Sequence, residues 1–145
     1  MAAVAIPGAV LIVATACLLL ALPLGIDPLW QVEPVTLAEA AALRDTGEIM
    51  RLIDRDQDPN RAQTVRADLL RNEPVVITPL EAAVAVDRPE VLQVLLDNGA
   101  VIDNAIWMRL SCFAREIGAD DARTVLDARR PAGAADECAH VETPW

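Results

Sequence analysis

The side chains best suited to nucleophilic or metal chemistry in this 145-residue chain are one histidine, His140, and three cysteines, Cys17, Cys112 and Cys138. His140 lies in a C-terminal stretch where neither a nucleophile nor an orienting acid can be placed beside it, so no hydrolytic dyad or triad is expected. A zinc site needs about four His or Cys ligands. Outside the apolar N-terminal segment the chain offers only Cys112, Cys138 and His140. No Gly-rich loop is present to cradle a phosphate. Asp54-Arg55-Asp56-Gln57-Asp58 opens like a calcium loop, but Pro59 stands where the sharp turn needs Gly and Val65 where the chelating Glu belongs, which leaves a solvated acidic turn. The expectation is a protein without catalytic residues, metal, cofactor or small-molecule substrate, and not an enzyme. Cys112 and Cys138 could pair in an oxidising compartment; otherwise they are a buried helix thiol and a free thiol near the C-terminus.

Charge narrows the partner class. The chain has 12 arginines, no lysine and 22 acids, for a net charge of −10, and residues 1–24 carry none of it. Sequence-nonspecific nucleic-acid binding requires cations that neutralise phosphates, and docking on anionic lipid requires a basic patch. Neither fits, so the expected partner is another protein, with a basic patch complementing the acidic surface. Apolar residues make up 54% of the chain but aromatics only 3%. That mass of Ala, Leu, Val and Ile suits close-packed helices better than a β-sandwich. Arginine without lysine reads as the bias of a GC-rich bacterial genome and decides nothing about chemistry.

Residues 2–24 contain no charge and a single hydroxyl, Thr15. As a helix they would extend about 35 Å, enough to cross a hydrocarbon core of about 30 Å. A cleaved secretory signal fits less well, because a basic leading region is missing and the Ala14-x-Ala16 site lies inside the apolar run. Cys17 follows a poor lipoprotein motif. Residues 1–24 are therefore expected to be a single transmembrane anchor. The first cation after it is Arg44, so the cytoplasmic excess of arginine is missing from the C-terminal flank, which places the remainder on the outer, periplasmic side of an inner membrane. Gly25, Pro28 and Pro34 make residues 25–35 a short linker.

Thr78 to Asp103 reads TPLEAAVAVDRPEVLQVLLDNGAVID. It resembles an ankyrin repeat: Thr78-Pro79-Leu80 match the opening, Ala83 and Val84 stand at the small-residue pair, Glu90-Val91-Leu92 and Val94-Leu95-Leu96 match the second helix, and Gly99-Ala100 the terminator. Thr78 can cap the first helix with Pro79 in its first position. Asp87 and Glu90 have capping-box spacing for the second. Glu81 stands where the family has His, and Asp87 where it has a turn Gly. A second copy begins 42 residues upstream, with Thr36 to Ala42 as first helix and Glu48 to Ile53 in the second, capped by Asp45 or Thr46. Its terminator is degraded to Gln57-Asp58. The spacing exceeds the family's period of about 33 residues by about nine. The excess falls in residues 61–77, where Ala62 to Arg71 is expected to form a short helix. A weaker third copy pairs Ile106 to Ile117 with Ala122 to Arg129, and its polar outer face suits a terminal cap.

The resemblance implies an all-α fold: a short ankyrin-repeat solenoid of about three helix pairs (36–60, 78–103 and 104–130), with an insertion at 61–77 and a flexible acidic tail at 131–145. It implies a protein–protein interaction module. It nominates Glu81, Ala85, Asp87, Asp103, Asn104 and Trp107 as partner contacts, although Trp107 suits a core position equally well. One concrete form is an immunity protein that occludes a toxic effector in the same compartment. The alternative is an accessory subunit of a membrane complex that uses its anchor as a contact, through the small residues Ala2, Ala5, Gly8, Ala9, Ala14 and Ala16.

Overall fold

A computed structural model of the protein describes residues 34–134, 137–139, 141, 143 and 144. The anchor expected at 1–24 and all but the last two linker residues lie outside this set, as do His140 and Trp145. Among the described residues no helix is long and apolar enough to cross a membrane. The chain divides into two compact units, Met1–Pro34 and Val35–Trp145, and the structure below is that of the second.

The unit is mostly helical. In chain order it contains α1 (Leu37–Ala42), α2 (Thr46–Ile53), β1 (Gln63–Val65), β2 (Val75–Ile77), α3 (Pro79–Ala85), α4 (Pro89–Asp97), α5 (Asn104–Ile117) and α6 (Asp120–Ala128). The helices fall into three consecutive pairs. α1 packs on α3 and α3 on α5, while α2 meets α4 and α4 meets α6. Alanine makes the close approach of the first helices feasible: Ala38, Ala40, Ala41, Ala82 and Ala83 are all fully buried. The largest buried side chains, among them Leu37, Ile49, Leu92, Leu95, Trp107, Leu110, Phe113 and Leu126, form one continuous core across the pairs.

The same local geometry recurs in each pair. Between its two helices one residue adopts a left-handed backbone: Arg44 (φ 62°), Asp87 (φ 48°) and Gly118 (φ 72°). The next N–H then reaches back five residues, from Asp45 to the Ala40 carbonyl (3.0 Å), from Arg88 to Ala83 (3.4 Å) and from Ala119 to Ala114 (2.8 Å). These are helix-stop bonds that satisfy carbonyls the helix itself leaves open. Two of the three left-handed residues have a Cβ, which costs local strain that glycine would avoid. A matching stop follows the second helices, at Asp56 (φ 62°) and Gly99 (φ 101°). There Gln57 donates to Leu52 (3.1 Å) and Ala100 to Leu95 (3.0 Å). The residue in the role of Gly99 is thus Asp56, one position before the expected Gln57-Asp58.

The insertion is not helical. β1 and β2 pair antiparallel, with Gln63 opposite Ile77, Thr64 opposite Val76 and Val65 opposite Val75. The helix expected over Ala62 to Arg71 loses to β-branched side chains with a two-residue burial period, Val65 and Ile77 inward and Thr64 and Val76 outward. Asp68, left-handed at φ 68°, turns the connection, and its N–H donates to the Arg71 carbonyl (2.6 Å). The hairpin folds back on α1, whose six residues are all buried.

Two side chains join one pair to the next. The Asn60 amide accepts from the Val101 N–H (2.7 Å) and donates to the Gly99 carbonyl (3.1 Å), linking the loops after α2 and α4. Asp87 accepts from the Ala122 N–H at the start of α6 (2.8 Å), a helix whose own N-cap residue, Ala119, supplies no side-chain bond. The capping box expected between Asp87 and Glu90 does not form: Arg88 is the N-cap of α4 and makes no side-chain bond, because Asp87 is turned toward the next pair. Asp87→Ala therefore removes the α6 cap while keeping an unfavourable left-handed residue, and should destabilise the unit by about 1–2 kcal/mol in urea unfolding. Asp87→Asn keeps both an acceptor and left-handed tolerance, and should stay within about 0.5 kcal/mol of the parent.

Candidate functional site

The first helices of the first two pairs begin with the same device. Thr36 Oγ1 accepts from the Glu39 N–H (3.2 Å) while a Glu39 carboxylate oxygen accepts from the Thr36 N–H (3.1 Å). In α3 the corresponding bonds run from Glu81 N–H to Thr78 Oγ1 (3.2 Å) and from Thr78 N–H to the Glu81 carboxylate (2.7 Å). Both carboxylates are buried, Glu39 at 2% and Glu81 at 6% exposure. A buried carboxylate needs more than a cap to remain charged. Each has an arginine from a neighbouring element. Arg66, just beyond β1, donates from its backbone N–H (3.1 Å), Nε (2.7 Å) and Nη2 (3.2 Å) to Glu39. Arg109 of α5 brings its Nε to 3.0 Å from Glu81. These arginines escaped the sequence reading. The available signal was a Glu three positions after each capping Thr, since a buried anion demands a cation within reach.

Burial alone would raise the Glu39 carboxyl, but the Arg66 guanidinium and the backbone N–H groups of Thr36 and Arg66 outweigh it and hold the group below the ordinary value of 4.5. Glu48, paired with Arg51 on the exposed face of α2, is lowered by that hydrogen bond.

The nominated contact residues do not form one surface. Glu81 is buried in its cap and ion pair. Asp87 is partly buried and committed to α6. Trp107 is 1% exposed, its indole N–H donates to the Leu126 carbonyl (2.8 Å) and the Arg130 guanidinium lies 4.7 Å from its ring centre, so it is core and not contact. Its position explains this: it is the residue of α5 aimed between α5 and α6. Asp103 and Asn104 are exposed, with Asp103 also capping α5 through the Ile106 N–H (2.7 Å), and Ala85 is half-buried.

What the structure places beside Glu81 is the C-terminal segment. Cys112 and Cys138 are joined in a disulfide with their Cα atoms 5.5 Å apart. Beyond it Val141, Thr143 and Pro144 lie opposite Ile106, Met108 and Arg109, and together with Glu81 they border an open cavity of about 600 Å³. The segment expected to be free is therefore tied down at Cys138. It is also tied at Ala134, which is buried and accepts from Arg130 Nη2 (2.6 Å). Among the described residues no group of three or more His, Cys, Asp or Glu side chains is placed to hold a metal ion. No protein-family model, curated protein or solved structure matches the chain.

The lowered Glu39 group makes stability depend on pH. Its contribution is complete above the unfolded value near 4.5 and is lost as pH falls through the lower folded value. Urea midpoints should therefore fall between about pH 5 and pH 3. Glu39→Gln should be about 2 kcal/mol less stable at pH 7, because Arg66 loses its counter-charge, and its midpoint should change less over the acid range.

Proposed function

We propose that the chain is a membrane-tethered module of the ankyrin type that binds a protein partner on the periplasmic side of a bacterial inner membrane, as an immunity protein binds and occludes a toxic effector. The observation that carries this reading is the recurrence of one local build. Each pair has a left-handed residue between its helices and the same five-residue helix-stop bond. The first two pairs open on the same Thr-x-x-Glu box, and first helices contact first helices while second contact second. A stack of this kind is a scaffold whose activity lies in its exposed face, so the fold class suggests binding and leaves the target open. The disulfide favours an oxidising compartment, in keeping with the outward orientation read from the missing arginines.

The test is capture from native membranes after cross-linking, with the bound protein identified by mass spectrometry. Asn104→Arg and Ala85→Arg place cations at the two nominated positions that are neither buried nor part of a cap. Each should weaken capture about tenfold, the effect of about 1.4 kcal/mol, with an unchanged circular-dichroism spectrum. Binding should also weaken as salt rises from 50 to 500 mM, because exposed charges more than about a Debye length apart are screened. Capture that ignores both substitutions and salt, or a strain that survives every neighbouring or rival effector without this protein, would count against the reading.

A further inference from the structure

The second helices of the three pairs are supported unequally. α2 carries its own cap, the Asp45 carboxylate accepting from the Glu48 N–H (2.9 Å). α4 has no side-chain cap but packs against both α2 and α6. α6 has neither support. Its N-cap residue, Ala119, makes no side-chain bond, and among the described residues α4 is the one second helix that packs on it. Nine residues are too few for a helix to persist alone in water, and α6 buries only Ala122, Val125 and Leu126. Two hydrogen bonds reach it from elsewhere, Asp87 accepting from the Ala122 N–H (2.8 Å) and the Trp107 indole N–H donating to the Leu126 carbonyl (2.8 Å). The Arg129–Asp97 pair (2.9 Å) is exposed on both sides, and such pairs contribute little. The covalent cross-link is placed at this weak point. Cys112 of α5 and Cys138 are 26 residues apart, and the interval contains the whole of α6. A cross-link restricts the unfolded chain more as the loop it closes lengthens. Here it limits how far α6 can depart from α5, whatever contacts α6 makes.

We propose that the Cys112–Cys138 disulfide sets a redox condition on the third pair. With the bond formed, α6 is held in the stack; with the bond reduced, α6 opens while α5 and the first two pairs stay folded. The first two pairs draw none of their caps from α6, and α5 remains joined to α3 through Arg109 and Glu81. The opening step is thiol–disulfide exchange with a dithiol reductant. One thiolate of the dithiol attacks Sγ of Cys138, the half-buried partner, the Sγ–Sγ bond breaks, and Cys112 leaves as a thiolate that takes up a proton. The second thiolate of the reductant then attacks its own sulfur in the mixed disulfide and releases Cys138, which is also protonated. Two electrons and two protons reach the protein, and the dithiol is left as a disulfide. The reverse exchange, with a disulfide oxidant, closes the loop again. In a reducing compartment the third pair is therefore incomplete, and it is completed where such an oxidant is present. This condition belongs to the fold itself and stands whether or not the chain binds a protein partner.

The experiment is hydrogen–deuterium exchange read by mass spectrometry on the full chain in detergent micelles. The samples are the oxidised chain, the chain reduced with dithiothreitol, and the Cys138→Ser variant. Reduction should speed exchange of the α6 amides about a hundredfold, the effect expected from freeing a loop of this length. Amides of α1 and α3 should change by less than about threefold. The Cys138→Ser variant should match the reduced chain, and oxidised glutathione, added to the reduced parent after dithiothreitol is removed, should restore the protection of α6. An α6 that stays protected on reduction, or in the variant, would overturn the proposal. Equal loss of protection in every helix would make the bond a support of the whole unit and overturn it too. So would protection that oxidised glutathione fails to restore, since a redox condition must be reversible.

Discussion

A helix of six residues has almost no interior. Its first four N–H groups and last four carbonyls lack intrahelical partners, so in α1, Leu37–Ala42, terminal groups outnumber internal bonds. Such a helix does not persist alone in water. The rest of the unit is arranged to meet that constraint. Thr36 and Glu39 close one end of α1, the stop at Arg44 closes the other, and its sides are covered by α2, α3 and β1. α3 is one residue longer and is handled in the same way. Burying a carboxylate at the third position of each helix is then the natural solution, because one group satisfies backbone donors and neutralises a cation brought in by the next element.

This constraint also explains the two ends of the unit. Among the described residues α1 has no helix pair before it, and the insertion covers that side: Gln63 Oε1 accepts from the Ala38 N–H (3.0 Å), and Arg66 reaches Glu39 from the same strand region. The residues that connect the first helix pair to the second are what cover the open side of α1. At the other end α6 has a polar outer surface of its own, with Asp120, Asp121, Thr124 and Asp127 exposed, and needs only a borrowed cap. A solvated helix and a folded-back hairpin are two different ways of ending the same packing.

Much of this was legible in the residues. Thr78-Pro79-Leu80-Glu81 announced a capped first helix, and the alternation of helical segments placed all six helices to within a few positions. What escaped was every feature that depends on a partner distant in sequence. Asp87 looked like the cap of the helix beside it, because local spacing says nothing of Ala122, 35 residues away. Residues 62–71 contain Ala and Leu and read as helical, whereas packing against α1 selected the alternation of Thr64-Val65 within them and of Val75-Val76-Ile77 after them. Trp107 could have been surface or core until its indole was seen to need the Leu126 carbonyl. The exposed face was the hardest to read, since the position that mattered most, Glu81, turned inward and the C-terminal residues settled beside it.

The side chains of Asn60 and Asp87 both reach forward along the chain, from the first pair to the loop after the second and from the second pair to the third. The middle pair offers backbone groups to Asn60 at one boundary and the Asp87 carboxylate to the Ala122 N–H at the other. Removing it would leave the outer two pairs with neither a shared apolar surface nor any of these three bonds. The centre therefore cannot melt without separating its two neighbours. The three described helix pairs are thereby held as one body with a keystone, even though each touches chiefly its nearest neighbour.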